Sequence, residues 1–509
     1  MKSTHFDVLI IGAGLSGVGM ACHLSRECPR RSFAIIERRA QVGGTWDLFK
    51  YPGIRSDSDM YSFGYDFQPW SGEKILADGP SIQKYIETTA EQYDVKKRIH
   101  FGINLTTANW SSTDRVWTLE GHNTKSGSPV RYTCNFLIAC TGYYDHKEGY
   151  LPQYPGIENY QGKLIHPQQW PENLDYRSKR IIVIGSGATA VTLVPSLATT
   201  AQHVTMLQRS PSYIISVPSI DKISRVLSKF LPAPWVRKLG RWRNIKLQRW
   251  IFKAAKRWPN FIRKLLLKDV RKSLPANYDL SHFDPSYNPW DQRLCVVPDG
   301  DLFSSICSGK ASVATGEIET FSQQGILLKS GQQLDADIVI SATGLKLQVL
   351  GGIKLCIDGT PVAVNQKLTY KAVLMEGVPN ISWVFGYTNA PWTLKADITA
   401  RYICRLFKYM DTHNFQVCTA IDSKGCSEQG SVMSSLDSGY VKRANRELPR
   451  QGKYYPWRLL NNYEEDCKIL LDSAIEDEFL TFLPHQSDTE KTLKAKDKNN
   501  TSPIEVSSI

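Results

Sequence analysis

Phe6-Asp7-Val8-Leu9-Ile10-Ile11-Gly12-Ala13-Gly14-Leu15-Ser16-Gly17 is a short aliphatic strand that runs straight into a GxGxxG turn. The unbroken apolar run from Val8 to Ile11 suits a parallel strand buried on both faces. Gly12 allows the tight turn, Gly14 lets the backbone approach a pyrophosphate, and Gly17 lets the next helix pack closely on the strand. That helix, expected over residues 18–26, starts with unpaired N–H groups and about half a positive charge, which suits an anion near Ser16. A second strand over residues 32–36 ends at Glu37, 20 positions beyond Gly17, where a carboxylate can accept hydrogen bonds from a ribose diol. Glycines alone are a weak signal, but strand, turn, helix and acid together predict a dinucleotide-binding unit.

The same grammar recurs. Arg180-Ile181-Ile182-Val183-Ile184 precedes Gly185-Ser186-Gly187-Ala188-Thr189-Ala190, the GxGxxA variant, so two dinucleotides are expected. Here the second strand, over residues 203–207, ends in Gln208-Arg209 instead of an acid. A carboxylate would repel a 2′-phosphate and a guanidinium would hold it, so Arg209 points to NADPH over NADH. Two further hydrophobic strands, 136–140 and 336–342, stop at Thr141-Gly142 and Thr343-Gly344, where glycine permits a sharp crossing between domains.

The expected fold is therefore α/β, with two doubly wound, Rossmann-like domains, one nested in the other. The first comprises residues 1–144 and 373–484, and the second residues 145–219 and 290–372. A helical insertion over residues 220–289 interrupts the second. The polar, charge-mixed segment 485–509 reads as a disordered tail.

A chain of 509 residues is too long for one core, which agrees with this division. The first residues lead directly into the Phe6 strand with no signal-peptide succession, and no run is long enough to span a membrane, so a cytoplasmic protein is expected. The 11 cysteines contain no CxxC pair, which argues for buried, reduced thiols and against a zinc site or a thioredoxin-like couple. The net charge of +13 is concentrated: residues 222–272 hold 17 Lys and Arg and one acid, Asp269, interleaved with Trp235, Trp242, Trp250, Phe252, Trp258 and Phe261. The plainer reading is a solvated helical face whose aromatics pack inward. The alternative is peripheral contact with an anionic surface at the inner face of the cell membrane. Nucleic acid is not an expected partner.

Tyr160-Gln161-Gly162-Lys163-Leu164-Ile165-His166-Pro167-Gln168-Gln169-Trp170-Pro171, between the two glycine turns, resembles the FxGxxxHxxxW fingerprint of Baeyer-Villiger monooxygenases. Gly43-Gly44-Thr45-Trp46, Tyr51-Pro52-Gly53-Ile54-Arg55-Ser56-Asp57 and Asn288-Pro289-Trp290-Asp291-Gln292-Arg293 also look like this class B flavoprotein family, most closely its ethionamide monooxygenase branch. Tyr160 replaces the usual Phe. Gln292 stands where several members carry a lysine, which leaves Arg209 as the main support for NADPH.

The resemblance implies FAD on the first unit, with Gly44, Thr45, Trp46 and Asp57 joining Gly12, Gly14, Ser16, Gly17 and Glu37. It implies NADPH on the second, with Arg55, Ser56 and Asp57 joining residues 185–190, Gln208 and Arg209. The implied reaction takes a ketone or sulfide and dioxygen, forms an ester or lactone through a C4a-peroxyflavin, and extends to sulfide and thioamide oxidation. Arg293 matches the active-site arginine that stabilises the developing anions, and Asp57 the acid that orients it. Tyr160, Gly162, His166 and Trp170 belong to a linker that coordinates domain movement, so His166 stays outside the catalytic set. Three other functions compete. Trp170 and Arg293 count against an N- or S-oxygenating flavin monooxygenase, which usually carries Tyr or Phe at the tryptophan. The lack of CxxC counts against a flavin reductase, and the intact first turn against a binding-only module.

Overall fold

The computed structural model describes residues 4–292 and 294–486, so Arg293 and the expected tail from residue 487 lie outside the described residues. β1 (Thr4–Ile11) has its exposed residues at the start and its buried ones at Val8–Ile11. Val8 and Ile10 enter one core and Leu9 and Ile11 another, so the strand reads as a continuous apolar run because both its faces are covered. α1 (Leu15–Glu27) starts inside the glycine turn, three residues before the predicted position.

β2 (Phe33–Ile36) lies parallel to β1, with Val8 opposite Phe33 and Ile11 opposite Ile36, and β3 (Ile99–His100) lies beyond it. Helices α2 (Thr45–Leu48), α3 (Met60–Phe63) and α4 (Gly79–Gln92) fall between β2 and β3. β4 (Ile103–Ser111) and β5 (Val116–Asn123) form a hairpin that leads to β6 (Pro129–Ala139). β6 serves three neighbours: β1 along most of its length, β5 at its first half, and the strand Ile381–Trp383 at Leu137–Ala139.

β7 (Tyr144–Gly149) follows, and β8 (Lys163–Ile165) opens a second, five-stranded sheet. Its other members are β9 (Arg180–Ile184), β10 (His203–Gln208), β13 (Ala311–Thr315) and β17 (Ile338–Ser341), all parallel, in the order β13-β10-β9-β17-β8. α5 (Ala188–Ala198) packs against β9 and β10. Ile181 and Val183 face one core, Ile182 and Ile184 the other, repeating the arrangement of β1. The fold is thus two doubly wound units, with the second inserted into the first.

Thr141-Gly142 and Thr343-Gly344 end β6 and β17, as the sequence predicts. Gly142 and Gly344 have φ of +65° and +109°, a range glycine enters without strain. The segments that follow, β7 and β18 (Leu345–Leu347), pair antiparallel, so the two crossings form one ribbon between the sheets.

Two expectations need correction. The second domain was expected to run to residue 372, but β19 (Lys354–Ile357) pairs with β4 of the first sheet, β20 (Thr360–Pro361) pairs with β19, and β21 (Thr369–Tyr370) also belongs to that sheet. The chain therefore returns directly after β18. An apolar run shows that a strand is buried but not in which sheet.

The second correction concerns the insertion, which emerges between the paired strands β11 (Ile214–Val217) and β12 (Cys295–Pro298) and holds α6 (Lys222–Leu227), α7 (Ala233–Arg257) and α8 (Pro259–Ser273). Phe252 does turn inward, edge to face with Trp290. Trp235, Trp242, Trp250, Trp258 and Phe261 do not: they are 56–63% exposed. No helix among the described residues is long and apolar enough to cross a membrane.

Candidate functional site

A cavity of about 350 Å³ lies where the two glycine units meet. Gly12, Gly14, Leu15 and Ser16 line it from the first turn, and Ala188, Thr189 and Thr192 from the start of α5. Both helices begin at a glycine, Gly14 or Gly187, without a side-chain cap, so their first N–H groups are left for a ligand. A Cβ on Gly187 would meet no protein atom within 4 Å, which leaves open space for a close backbone approach. The first turn differs, because a Cβ on Gly14 would lie 3.4 Å from Gly44 Cα. The glycines at 43 and 44 thus form the opposite wall, and their motif acquires a steric reason.

Gly17 has the tightest environment. An added Cβ would lie 1.8 Å from the Gly12 carbonyl oxygen, so even alanine must push the helix off the turn. Gly17→Ala is expected to reduce bound flavin per chain severalfold while the circular dichroism of the purified protein stays near that of the parent. Full flavin occupancy in the variant would detach this turn from the ligand.

Glu37 is buried at the cavity wall, accepting from Ala13 N–H at 2.6 Å and Arg39 N–H at 2.8 Å. Burial pushes its carboxyl above the usual range, against the opposing effect of the two N–H donors. Each oxygen keeps a further lone pair with which this cavity-lining carboxylate can accept from a diol. The donor set and the glycine walls fit a dinucleotide.

The stretch from Tyr51 to Asp57 joins the two units. Tyr51 hydrogen-bonds Thr189 of α5, and a Cβ on Gly53 (φ +76°) would lie 2.8 Å from Ser196 Cβ. Arg55 lines the cavity but is engaged by Asp301 of α9 (Asp301–Cys307), at 2.5 Å, so it is not a free phosphate anchor. Ser56 is buried, and its hydroxyl donates to the Ser58 carbonyl. Asp57 is exposed at the cavity rim. The local capping role belongs instead to Asp59, which accepts from Ser62 N–H at the start of α3, leaving Asp57 for the cavity.

On the second unit, the Ser186 hydroxyl bonds Ser210 and Ser212. Gln208 is buried and its amide nitrogen donates to His282 O and Thr315 Oγ1, so both its hydrogens are used. It holds the end of β10 and is not a ligand donor, contrary to expectation. Arg209, next along, is exposed and without an ion pair among the described residues.

Residues 5–351 match the description of flavin-binding monooxygenase-like proteins. The chain is 53% identical over 482 residues to MymA of Mycobacterium tuberculosis, covering 94% of this chain and 97% of that protein. It is 48% identical over 480 residues to the FAD-containing monooxygenase EthA of the same species, covering 94% and 98%. The chain belongs to the flavin-binding monooxygenase-like family. A solved steroid monooxygenase bound to NADP superposes with a TM-score of 0.74 over 95% of this chain and 100% of that one, at 19% identity, which shows the shared fold.

In this family member the fingerprint lies away from the cavity. β8 places Lys163–Ile165 at the edge of the second sheet. Tyr160 donates from its hydroxyl to Ala336 O at 3.0 Å, so the oxygen that phenylalanine lacks is satisfied. A Cβ on Gly162 would lie 2.6 Å from Asp337 O, and Trp170 packs edge to face on Tyr176. His166 Nε2 donates to Gly344 O, while Nδ1 accepts from Gln168 N–H, which fixes a neutral tautomer on the interdomain ribbon.

Burial holds this imidazole below its ordinary value. The unfolded chain therefore takes up a proton first as pH falls past about 6.5, and stability is lost in that direction. Between about pH 7.5 and about 5.5 the urea midpoint should fall more in the parent than in His166→Gln. Identical pH dependence in the two proteins would remove the neutral imidazole from the fold's energetics.

Several lining residues carried no sequence signal. Tyr143 stacks on Trp392, at 5.1 Å between ring centroids, and Trp392 Nε1 donates to Ser16 Oγ at 2.9 Å. Trp392 begins α10 (Trp392–Thr412), which directs another uncapped helix start at the cavity. His146 also lines it, and burial holds its pKa down to about 3.

Proposed function

We propose that the chain is an FAD- and NADPH-dependent Baeyer-Villiger monooxygenase that converts ketones to esters or lactones and also oxidises sulfides or thioamides. The observation that carries this reading is one cavity on which two uncapped, glycine-turned helices converge, with Glu37 in its wall and Arg209, exposed and without an ion pair among the described residues, directly after β10 of the second unit. The sequence match to FAD-containing EthA and the fingerprint from Tyr160 to Trp170 support it.

When bound, the flavin supplies hydride acceptance from NADPH and activation of dioxygen. The chain's own residues do the rest. Gly12, Gly14 and Ser16, with Gly44, Thr45 and Trp46, would hold the FAD pyrophosphate, and Glu37 would accept from its ribose. The turn 185–190 would take the NADPH pyrophosphate, and Arg209 its 2′-phosphate. Tyr143 and Trp392 present apolar faces that exclude water, which strengthens each electrostatic contact inside. By the resemblance of their motifs, Asp57 and Arg293 are assigned to the oxygen-transfer step, where a guanidinium would neutralise the negative charge that develops on substrate oxygen. The first domain comprises residues 1–144 and about 350–484, and the second the segments between, interrupted by the helical insertion.

The test is to incubate the purified protein with NADPH, isotopically labelled dioxygen and a panel of ketones and sulfides, and to weigh the products. An ester carrying one labelled oxygen is expected. Sulfoxide or amine oxide with no ester would assign it to N- or S-oxygenation, and NADPH consumption with hydrogen peroxide alone would leave a flavin oxidase.

A further inference from the structure

Twelve of the seventeen large apolar side chains exposed among the described residues lie between Ile223 and Leu265. All four exposed tryptophans, Trp235, Trp242, Trp250 and Trp258, are among them. On α7 they form a stripe, because Trp235, Trp242 and Trp250 are seven and eight residues apart, two turns each. Over residues 241–248 the opposite face is turned inward and polar. Asn244 Nδ2 and Gln248 Nε2 donate to the two carboxylate oxygens of Asp59 at 2.8 and 2.7 Å, and Arg241 donates to Tyr61 O at 2.9 Å and Gly64 O at 2.8 Å. A surface helix ordinarily buries its apolar stripe and shows water its polar one. Over residues 241–250, α7 does the reverse, while Val236, Ala254 and Ala255 are buried in the ordinary way.

The charge around the stripe is one-sided. Residues 222–272 hold 17 Lys and Arg against Asp269 alone. Some are neutralised by neighbours, as Arg243 is by Asp221 and Lys246 by Glu464. Lys238, Lys253, Lys264 and Lys268 are exposed and make no ion pair among the described residues.

We propose that α6, α7 and α8 dock on the surface of an anionic phospholipid bilayer, with the tryptophans at headgroup depth and the lysines on lipid phosphates. Indole rings favour that boundary, and basic side chains are drawn to anionic lipid. A second copy is the weaker occupant, since a two-fold contact would lay the same unpaired lysines against each other. Docking also sets Asp57 and Ser58 of the cavity wall, next to Asp59, about one helix diameter, roughly 10 Å, from the headgroups. Ligands dissolved in the bilayer then lie within reach. Docking does not depend on which reaction the cavity carries out.

The flavin-loaded full chain should be sedimented with vesicles of phosphatidylcholine mixed with phosphatidylglycerol, and with vesicles of phosphatidylcholine alone. Binding is expected to be at least about tenfold stronger to the mixed vesicles at low salt and to weaken at high salt. The double variant Trp242→Ser, Trp250→Ser should lose about tenfold or more, as should Lys238→Glu, Lys253→Glu, while both keep parental NADPH oxidation with a water-soluble substrate. Brominated acyl chains should quench the parent's tryptophan fluorescence and not that of the tryptophan variant. Equal binding to both vesicle types, no binding to the mixed vesicles, or unchanged binding by both variants would overturn the proposal. So would a solution dimer that the tryptophan variant alone converts to monomer.

Discussion

Arg293→Ala is expected to bind FAD and accept hydride from NADPH, yet to lower oxygenated product by about a hundredfold to a thousandfold. Hydride transfer needs only that nicotinamide and flavin stack. Oxygen delivery to a carbonyl, by contrast, accumulates negative charge on oxygen where water is excluded. A cation already fixed at that point stabilises the charge without reorganisation, whereas mobile water must first be recruited. The assignment of Arg293 rests on the motif Asn288-Pro289-Trp290-Asp291-Gln292-Arg293 and on Asp57, which lines the cavity while Asp59 caps α3. The measurement is ester formed per NADPH consumed, with hydrogen peroxide followed in parallel at the same oxygen concentration. Loss of ester with a matching rise in peroxide places the cation at the oxygen-transfer step. An unchanged ratio and rate would transfer that role to another basic residue.

The fold was legible because both sheets advertise themselves in the same way. Val8–Ile11 and Ile181–Ile184 are uninterrupted aliphatic runs, and each ends in a glycine turn whose backbone requirements no other residue meets. The Thr-Gly stops were equally readable, since a left-handed backbone angle at the end of a strand leaves a glycine. What stayed hidden depends on distance in the chain. Trp392 reaches Ser16 across the whole fold, and no spacing pattern links residues so far apart. The return of β19 to the first sheet was hidden for the same reason.

α7 was misread for a different one. Its aromatic period was visible, but which face packs inward depends on the partner, and the partner is the polar pair of oxygens on Asp59. Gln208 failed as a ligand for a local reason. It is the last residue of β10, and its amide is occupied by the neighbouring loop and strand, a fact its position beside Arg209 conceals.

Arg209 is where the sequence reading makes its sharpest claim. Glu37 and Arg209 end equivalent strands of the two units, one buried and hydrogen-bonded to the first turn, the other exposed and without an ion pair among the described residues. A carboxylate at the second position would repel a 2′-phosphate, and a guanidinium can grip it with two donors. Gln292 adds no charge to help, and Arg55 is held by Asp301. The proposed preference for NADPH therefore rests on one side chain. Arg209→Ala should raise the KM for NADPH roughly tenfold to a hundredfold, the range for losing a charge-assisted contact of about 1.5–3 kcal/mol, while leaving the KM for NADH nearly unchanged. Because the side chain is exposed, its removal leaves no buried cavity, so flavin content and thermal midpoint should match the parent. Arg209→Lys separates charge from geometry: it keeps the positive charge but loses the fork, so an intermediate KM is expected. Equal losses with both coenzymes in Arg209→Ala would mean that the guanidinium supports the turn at 185–190 and does not read the phosphate.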